Sequence, residues 1–248
     1  MRDNFLKKNI ILLVALISAL CVVLHFAVEA KRAATANANA QSDIHTVIID
    51  AGHGGEDCGA IGVNGAYEKD INFSVACHLR DMLALEGVKV IMTRSEDKLL
   101  YTEAQNIKGQ KKMYDLRNRL QVSSDNPDAI FVSIHMNNFS SASCSGLQVY
   151  YSKNTDGSKR LAECIQNSVC EDIQNDNKRK IKASSGDIYL LDRAKSDSVL
   201  VECGFLSNPE ECEKLCDKDY QRKLSFSIFC GIIDFIRESD NVTATKQS

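Results

Sequence analysis

The sequence predicts a single α/β domain: a mostly parallel central sheet of about six strands with helices on both faces, preceded by an N-terminal hydrophobic segment. Three observations point there. Short runs rich in Val, Ile, Leu and Tyr alternate with stretches whose apolar residues recur at helical spacing, the order of a layered α/β fold. Four of the runs, VIIDAG, VKVIMTR, IFVSIH and VLVEC, are almost continuously apolar, as strands covered on both faces are. The chain has 248 residues, 44% hydrophobic and 25% charged, enough for one domain of about 200 residues plus an extension, and no internal repeat is visible.

Taken in order, the chain opens with Arg2, Lys7 and Lys8, and Ile10 to Val28 is then apolar apart from Ser18 and His25. At about 1.5 Å per residue that run spans about 28 Å, close to the ~30 Å of a bilayer core. Cleavable signals usually have a shorter apolar region, about 7–15 residues. Residues 1–30 therefore read as an uncleaved signal-anchor in preference to a signal peptide, although VEA before Lys31 would suit a cleavage site. The basic flank favours a cytoplasmic N-terminus, a bias weakened by Lys31 and Arg32. The domain is then extracytoplasmic, membrane-anchored or secreted. Residues 31–44, with AATANANAQSD, read as a small polar linker.

Residues 45–238 hold the domain. Strands are expected at Thr46–Asp50, Val88–Thr93, Ala129–Ile134, Leu147–Tyr151, Asp187–Leu191 and Ser198–Val201. Ile71, Val75, Leu79, Met82 and Leu83 keep helical spacing up to Gly87, a good stop, and Leu161, Ile165, Val169 and Ile173 repeat every fourth residue. NPEE at Asn208 supplies a cap, a proline at the first helical position and acids in the first turn. Leu224, Ile228, Ile232, Phe235 and Ile236 form a closing helix, and residues 239–248 read as a polar tail.

A net charge of −3 and a pI of about 6 give no basic face for nucleic acid. The one dense basic run, NKRKIK (Asn177 to Lys182), reads as a solvated loop or, on charge alone, as a contact for an anionic polymer. Ten cysteines in an exported chain would ordinarily imply disulfides. Here Cys21 lies in the apolar run, and Cys164, Cys170, Cys212, Cys216 and Cys230 fall in helix-like segments where thiols pack as small hydrophobes. A domain of this size needs no staples, so most read as unpaired. Cys212 and Cys216 lack a second pair at zinc-finger spacing.

The chemistry concentrates at strand ends. The first strand runs through Asp50 to His53, the second ends at Arg94, the third at His135 and the last at Glu202. Parallel strands would gather these groups at one edge, where open α/β sheets bind ligands. Glu68, in GAYEKD, lies where the chain returns over that edge. Two imidazoles and one carboxylate can hold zinc and leave a fourth position for water. A second, unligated carboxylate can then carry the proton to a leaving group. Spacing leaves open which glutamate binds metal, and a strand-end histidine can also be structural. No HExxH, GxGxxG, phosphate loop or GxSxG elbow is present. Gly52, Gly54 and Gly55 would allow a tight turn beside His53 and leave room for substrate. Asp50 could orient a ligand imidazole or make a structural hydrogen bond. Arg94 could meet substrate carboxylates or pair with an acid. Asn137 could donate to a substrate carbonyl or close a turn. Cys203, next to Glu202, reads as packing.

Three blocks carry a family resemblance: IIDAGHGGEDCGAIGVNGAYEKDINFSVACHLRDMLALEGVKVIMTR, DAIFVSIHMN and SVLVECGFLSNPEE. Over Val47 to Arg237 the chain resembles the zinc-dependent N-acetylmuramoyl-L-alanine amidases of the Amidase_3 family. The resemblance implies that His53, Glu68 and His135 hold zinc and that Glu202 is the catalytic carboxylate. It also implies a peptidoglycan substrate, cut between the lactyl group of muramic acid and the L-alanine of the stem peptide. A small, membrane-anchored, single-domain chain is similar to the CwlD type, which acts on spore cortex and prepares muramic δ-lactam. Some relatives insert a blocking helix between the second histidine and the catalytic glutamate. The interval Met136 to Val201 leaves little room for one, so control is expected from an activating protein partner or from metal loading. Competing readings are another zinc cell-wall peptidase (carboxypeptidase or endopeptidase), a non-catalytic peptidoglycan-binding protein, and Fe(II) at a two-His-one-carboxylate site.

Overall fold

Six strands form one sheet: β1 (Thr46–Ala51), β2 (Lys89–Met92), β3 (Ile130–Asn137), β4 (Gln148–Tyr151), β5 (Lys182–Ala183) and β6 (Ser198–Phe205), in the order β2-β1-β3-β6-β4-β5. The computed structural model describes residues 22–28, which are helical, and residues 45–247. Most of the expected signal segment, the linker at 31–44 and Cys21 lie outside the described residues. Strands β2, β1, β3 and β6 run parallel, whereas β4 is antiparallel to β6 and parallel to β5. The reversal has a simple cause. A parallel return needs a crossover of a dozen or more residues, usually helical. The chain between β3 and β4 holds no helix, so β4 starts at the end of the sheet where β3 finished.

Helices cover both faces. On one side α1 (Glu68–Leu85), α3 (Asp156–Asp172) and α6 (Lys218–Gln247) pack on Val47, Ile49, Val132, Ile134, Val199 and Val201, all fully or almost fully buried. On the other, α2 (Lys111–Ser124) and the short α4 (Tyr189–Arg193) close a smaller cluster of Ile48, Ala129, Phe131 and Leu190. Side chains alternate along a strand. The face that starts with Ile48, Phe131 and Leu200 therefore continues as Asp50, Ser133, His135 and Glu202 toward the carboxyl ends. The helix α5 (Pro209–Cys216) follows β6, and Asn208 caps it by accepting from Glu210 N and Glu211 N at 3.0 and 3.1 Å.

The expected helices form at α1, α3, α5 and α6. The expected strand Asp187–Leu191 does not: it is largely helix α4, and the fifth strand is the two-residue β5. Leu190 and Leu191 are both buried, which alternation in a strand does not favour, and the Asp192 carboxylate accepts from Ile188 N (3.0 Å) and Ser184 Oγ (2.5 Å), tying the turn. Helix α2 escapes the apolar pattern because what it buries is polar: Asp115, Arg119 and Ser123, spaced by four. Helix α6 runs on to Gln247 through the stretch that reads as a polar tail. Among the described residues all nine cysteines are free, and no helix is long and apolar enough to cross a membrane.

Helices α3 and α6 meet at Gly231, where a β-carbon would stand 2.6 Å from Ile165 Cα and 2.8 Å from Cys164 O. Both are backbone atoms and cannot swing aside. Gly231→Ala is expected to destabilise the fold by about 1–3 kcal/mol, read from the urea midpoint.

Candidate active site

The turn after β1 is set by two buried arginines. Arg119, on α2, donates to Asp50 Oδ1 (2.5 Å), Asp115 Oδ2 (2.8 Å), Ala51 O (2.8 Å) and His53 O (2.8 Å). Arg94 donates to Ala51 O (2.9 Å), Gly52 O (3.3 Å), Lys69 O (2.8 Å) and Glu96 O (3.2 Å). Between them they satisfy three successive carbonyls as the chain leaves the strand. His53 sits at φ 61°, a left-handed conformation that costs a residue with a β-carbon roughly 1–2 kcal/mol. The bond from Arg119 to its carbonyl holds it there.

Asp50 is held by structural hydrogen bonds. Its carboxylate accepts from Arg119, Ser133 Oγ (2.6 Å) and Thr93 Oγ1 (2.7 Å), and touches no imidazole. Burial alone would raise its pKa, but Arg119 and the two hydroxyls hold it below the usual carboxylate value. Arg94 is 2% exposed and its hydrogen bonds go to backbone carbonyls, with its guanidinium over the Phe73 ring at 4.8 Å. Among the described residues no carboxylate lies within ion-pair distance of it, and its donors serve the backbone of the turn. Asn137 ends β3, half-buried, and its carbonyl accepts from Leu206 N at 2.8 Å.

The structure brings His53, Glu68 and His135 together. His53 Nε2 lies 3.2 Å and His135 Nδ1 2.9 Å from the same Glu68 oxygen, Oε1, and the donor atoms of all three fall within 4.8 Å of one another. Around a tetrahedral zinc with bonds of about 2.0–2.1 Å, ligand atoms stand roughly 3.3 Å apart. The two contacts to Glu68 approach that edge length, so the donor set and its spacing fit such an ion.

His53 and Glu68 are braced from behind. His53 Nδ1 bonds Asp57 Oδ2 at 2.9 Å, which turns Nε2 toward the cluster, and Asp57 is in turn paired with Lys112 at 3.0 Å. Glu68 Oε2 accepts from Ala60 N (2.8 Å), and Oε1 accepts from Met136 N (3.1 Å) and Asn72 Nδ2 (3.2 Å). Two glycines make room. A β-carbon at Gly52 would lie 2.3 Å from the His135 ring, and one at Gly59 would lie 2.5 Å from Glu68 Oε2. Gly52 thus serves His135 by close approach. Asp57 and Arg119 are absent from the strand-end reading. Their signals were local: an acid four residues after His53, and an Asp115–Arg119 pair at i, i+4.

Glu202 stands beside the cluster as the register partner of His135 across β3 and β6. Its Oε2 is buried with no hydrogen-bond partner. Burial raises its pKa to about 7, against the pull of His135, with Glu68 adding to the rise. Burial also opposes the charge on His53, but bonds to Asp57 and Glu68 outweigh it and bring His53 to about 9. Glu68, despite its burial, is held far below the usual carboxylate range by the two imidazoles.

Residues 47–234 match the Amidase_3 model, described as N-acetylmuramoyl-L-alanine amidase. The chain belongs to this family. The amidase is 36% identical over 192 residues to the germination-specific N-acetylmuramoyl-L-alanine amidase of Bacillus subtilis, covering 77% of this chain and 80% of the relative. It is 39% identical over 189 residues to the uncharacterized protein YqiI of the same organism, covering 75% of this chain and 82% of that one. Among solved structures it is similar to the CwlD amidase from Clostridioides difficile in complex with the GerS lipoprotein. There the TM-score is 0.74 and the identity 40%, over 78% of this chain and 98% of the other. The amidase is CwlD-like, and its activity is that of a peptidoglycan amidase.

Arg119→Met would leave Asp50 and Asp115 buried without their counter-charge. A loss of about 3–5 kcal/mol in urea unfolding is expected. Arg119→Lys should recover only part of it, because an ammonium cannot span four acceptors in the plane of a guanidinium.

Proposed function

We propose that His53, Glu68 and His135 hold zinc, that Glu202 is the catalytic acid–base, and that the bond cut joins the lactyl group of N-acetylmuramic acid to the L-alanine of the stem peptide. The observation that carries this is the convergence of three donor atoms at metal-like spacing beside a carboxylate with an unpartnered buried oxygen. When bound, zinc supplies Lewis acidity and lowers the pKa of water to about 7. Glu202, poised near neutrality, takes a proton from the attacking water and returns it to the departing amine of L-alanine. His53 and His135 keep their ligand nitrogens aimed by Asp57, on one side, and by the close wall of Gly52, on the other. Asn137, at the end of β3, is the proposed donor to the substrate carbonyl.

Residues 45–238 would form the catalytic domain, outside the cytoplasm and tethered by residues 1–30. Likeness to a germination-specific amidase and to a CwlD amidase supports action on spore cortex, where removal of the peptide precedes δ-lactam closure. That CwlD amidase was solved with a lipoprotein, which supports an activating protein partner here.

The decisive experiment is mass spectrometry of peptidoglycan after incubation with the zinc-loaded protein. Intact stem peptides with L-alanine at the amino terminus are expected, and none after EDTA treatment. Release of D-alanine alone, or of split peptides, would assign the chain to another wall peptidase. Glu202→Gln should keep one zinc by elemental analysis while hydrolysis drops at least 10²–10⁴-fold, on the order expected for losing a positioned acid–base. Asp57→Asn is expected to weaken zinc binding about 10–100-fold in a chelator competition.

A further inference from the structure

The basic run from Asn177 to Lys182 has no part in the cluster, yet the sheet register carries it to the cluster's flank. Glu202 on β6 pairs with Gln148 on β4, and Tyr150, two residues along, pairs with Lys182 on β5. Paired residues, and residues two apart on a strand, share a face. Glu202, Gln148, Tyr150 and Lys182 therefore stand on the same side of the sheet as His135.

Arg179 joins this platform from the loop before β5. Its guanidinium lies over the Phe205 ring at 4.4 Å and donates to Ser145 O (2.7 Å) and Gln148 Oε1 (3.1 Å). Lys182 Nζ lies 5.7 Å from the Tyr150 ring centroid. Among the described residues, neither cation has a carboxylate within ion-pair distance. Glu211, which feels the Arg179 charge, is committed to Gly146 N and Phe205 N, both at 2.8 Å. One cation is held in place by stacking and two hydrogen bonds, the other is exposed, and both lack an anion.

The distance selects the ligand. Neighbouring strands lie about 4.8 Å apart and residues advance about 3.3 Å along a strand, so Lys182, two strands over and two residues along, is about 12 Å from Glu202. An extended peptide advances about 3.3 Å per residue and covers that in three to four residues. The two sides of the scissile amide differ in charge. The glycan side is neutral, whereas the peptide side carries carboxylates on its second and third residues.

We propose that Arg179 and Lys182 form a subsite for a stem-peptide carboxylate about three residues beyond the scissile amide, and that it selects peptides with that carboxylate free over amidated ones. This rests on the amidase reading of the Glu202 site. The test uses the zinc-loaded full chain and the synthetic peptide L-Ala–D-Glu–diaminopimelate, with all carboxylates free or with the second- or third-residue carboxylate amidated. Calorimetry should show about tenfold weaker binding when one of those positions is amidated. Lys182→Ala, an exposed change that leaves the fold intact, and Arg179→Ala should each weaken the free peptide and narrow the difference. On muropeptides they should raise KM about tenfold with kcat held. Variants that keep the parent's preference, or that weaken free and amidated peptides alike, would overturn the subsite while leaving the amidase intact. A parent chain that releases no stem peptide from either muropeptide would overturn the amidase reading, and the subsite with it.

Discussion

The site depends on a buried guanidinium. Arg119 reaches from α2 through the smaller apolar layer to the end of β1, and there it meets two carboxylates and two carbonyls. Removing these ions from water costs several kcal/mol each, and only a fully bonded arrangement offsets it. The return is geometric. A left-handed histidine has no preference for its own conformation, and the next residues are glycines that would let the turn wander. With the carbonyls of Ala51, Gly52 and His53 each held by a buried arginine, the ring at His53 has one direction to point. Helix α2, the element with the weakest apolar signature, is thereby the one that aims the first strand's histidine.

Around that turn two glutamates of identical chemistry are driven apart by their surroundings. Glu68 takes hydrogen bonds on both oxygens and faces two imidazoles, so its charge is held. Glu202 has a buried oxygen that nothing satisfies, and its charge is disfavoured. Pairs of groups whose environments separate their proton affinities are how one fold supplies both a fixed anion and a proton carrier. Their placement follows from topology. Glu68 opens α1, where the chain folds back over the sheet, and Glu202 lies on the strand beside His135. The antiparallel turn of β4 then extends the same face sideways, giving the cluster a polar flank that a purely parallel sheet would have covered with a crossover helix.

What could be read without coordinates was what repeats locally. The four parallel strands announced themselves as apolar runs, and α1, α3 and α6 by their spacing. Asn208, Pro209 and the following acids marked α5 because a helix start is a matter of five consecutive residues. Where local pattern and buried content diverge, the reading failed. Helix α2 fully buries Asp115, Arg119 and Ser123 while Leu116 and Leu120 are only partly covered, so its apolar signal is weak, and Asp187–Leu191 looked extended although both Leu190 and Leu191 needed cover.

The sequence by itself determined the four parallel strands, the helices α1, α3, α5 and α6, and the kinds of side chain delivered to the carboxyl ends: two imidazoles and carboxylates from separate strands and turns. Family likeness, also carried by sequence, is what proposes a division of labour between Glu68 and Glu202, which spacing could not. Only the tertiary structure decided that Asp50 and Arg94 are internal supports, that Asp57 backs His53, and that Arg119 governs the turn. The reason is separation along the chain. Arg119 and Asp50 are 69 residues apart, and His135 and Glu68 are 67. No period of 2 or 3.6 links such positions; the packing of α2 and α1 against β1 and β3 does.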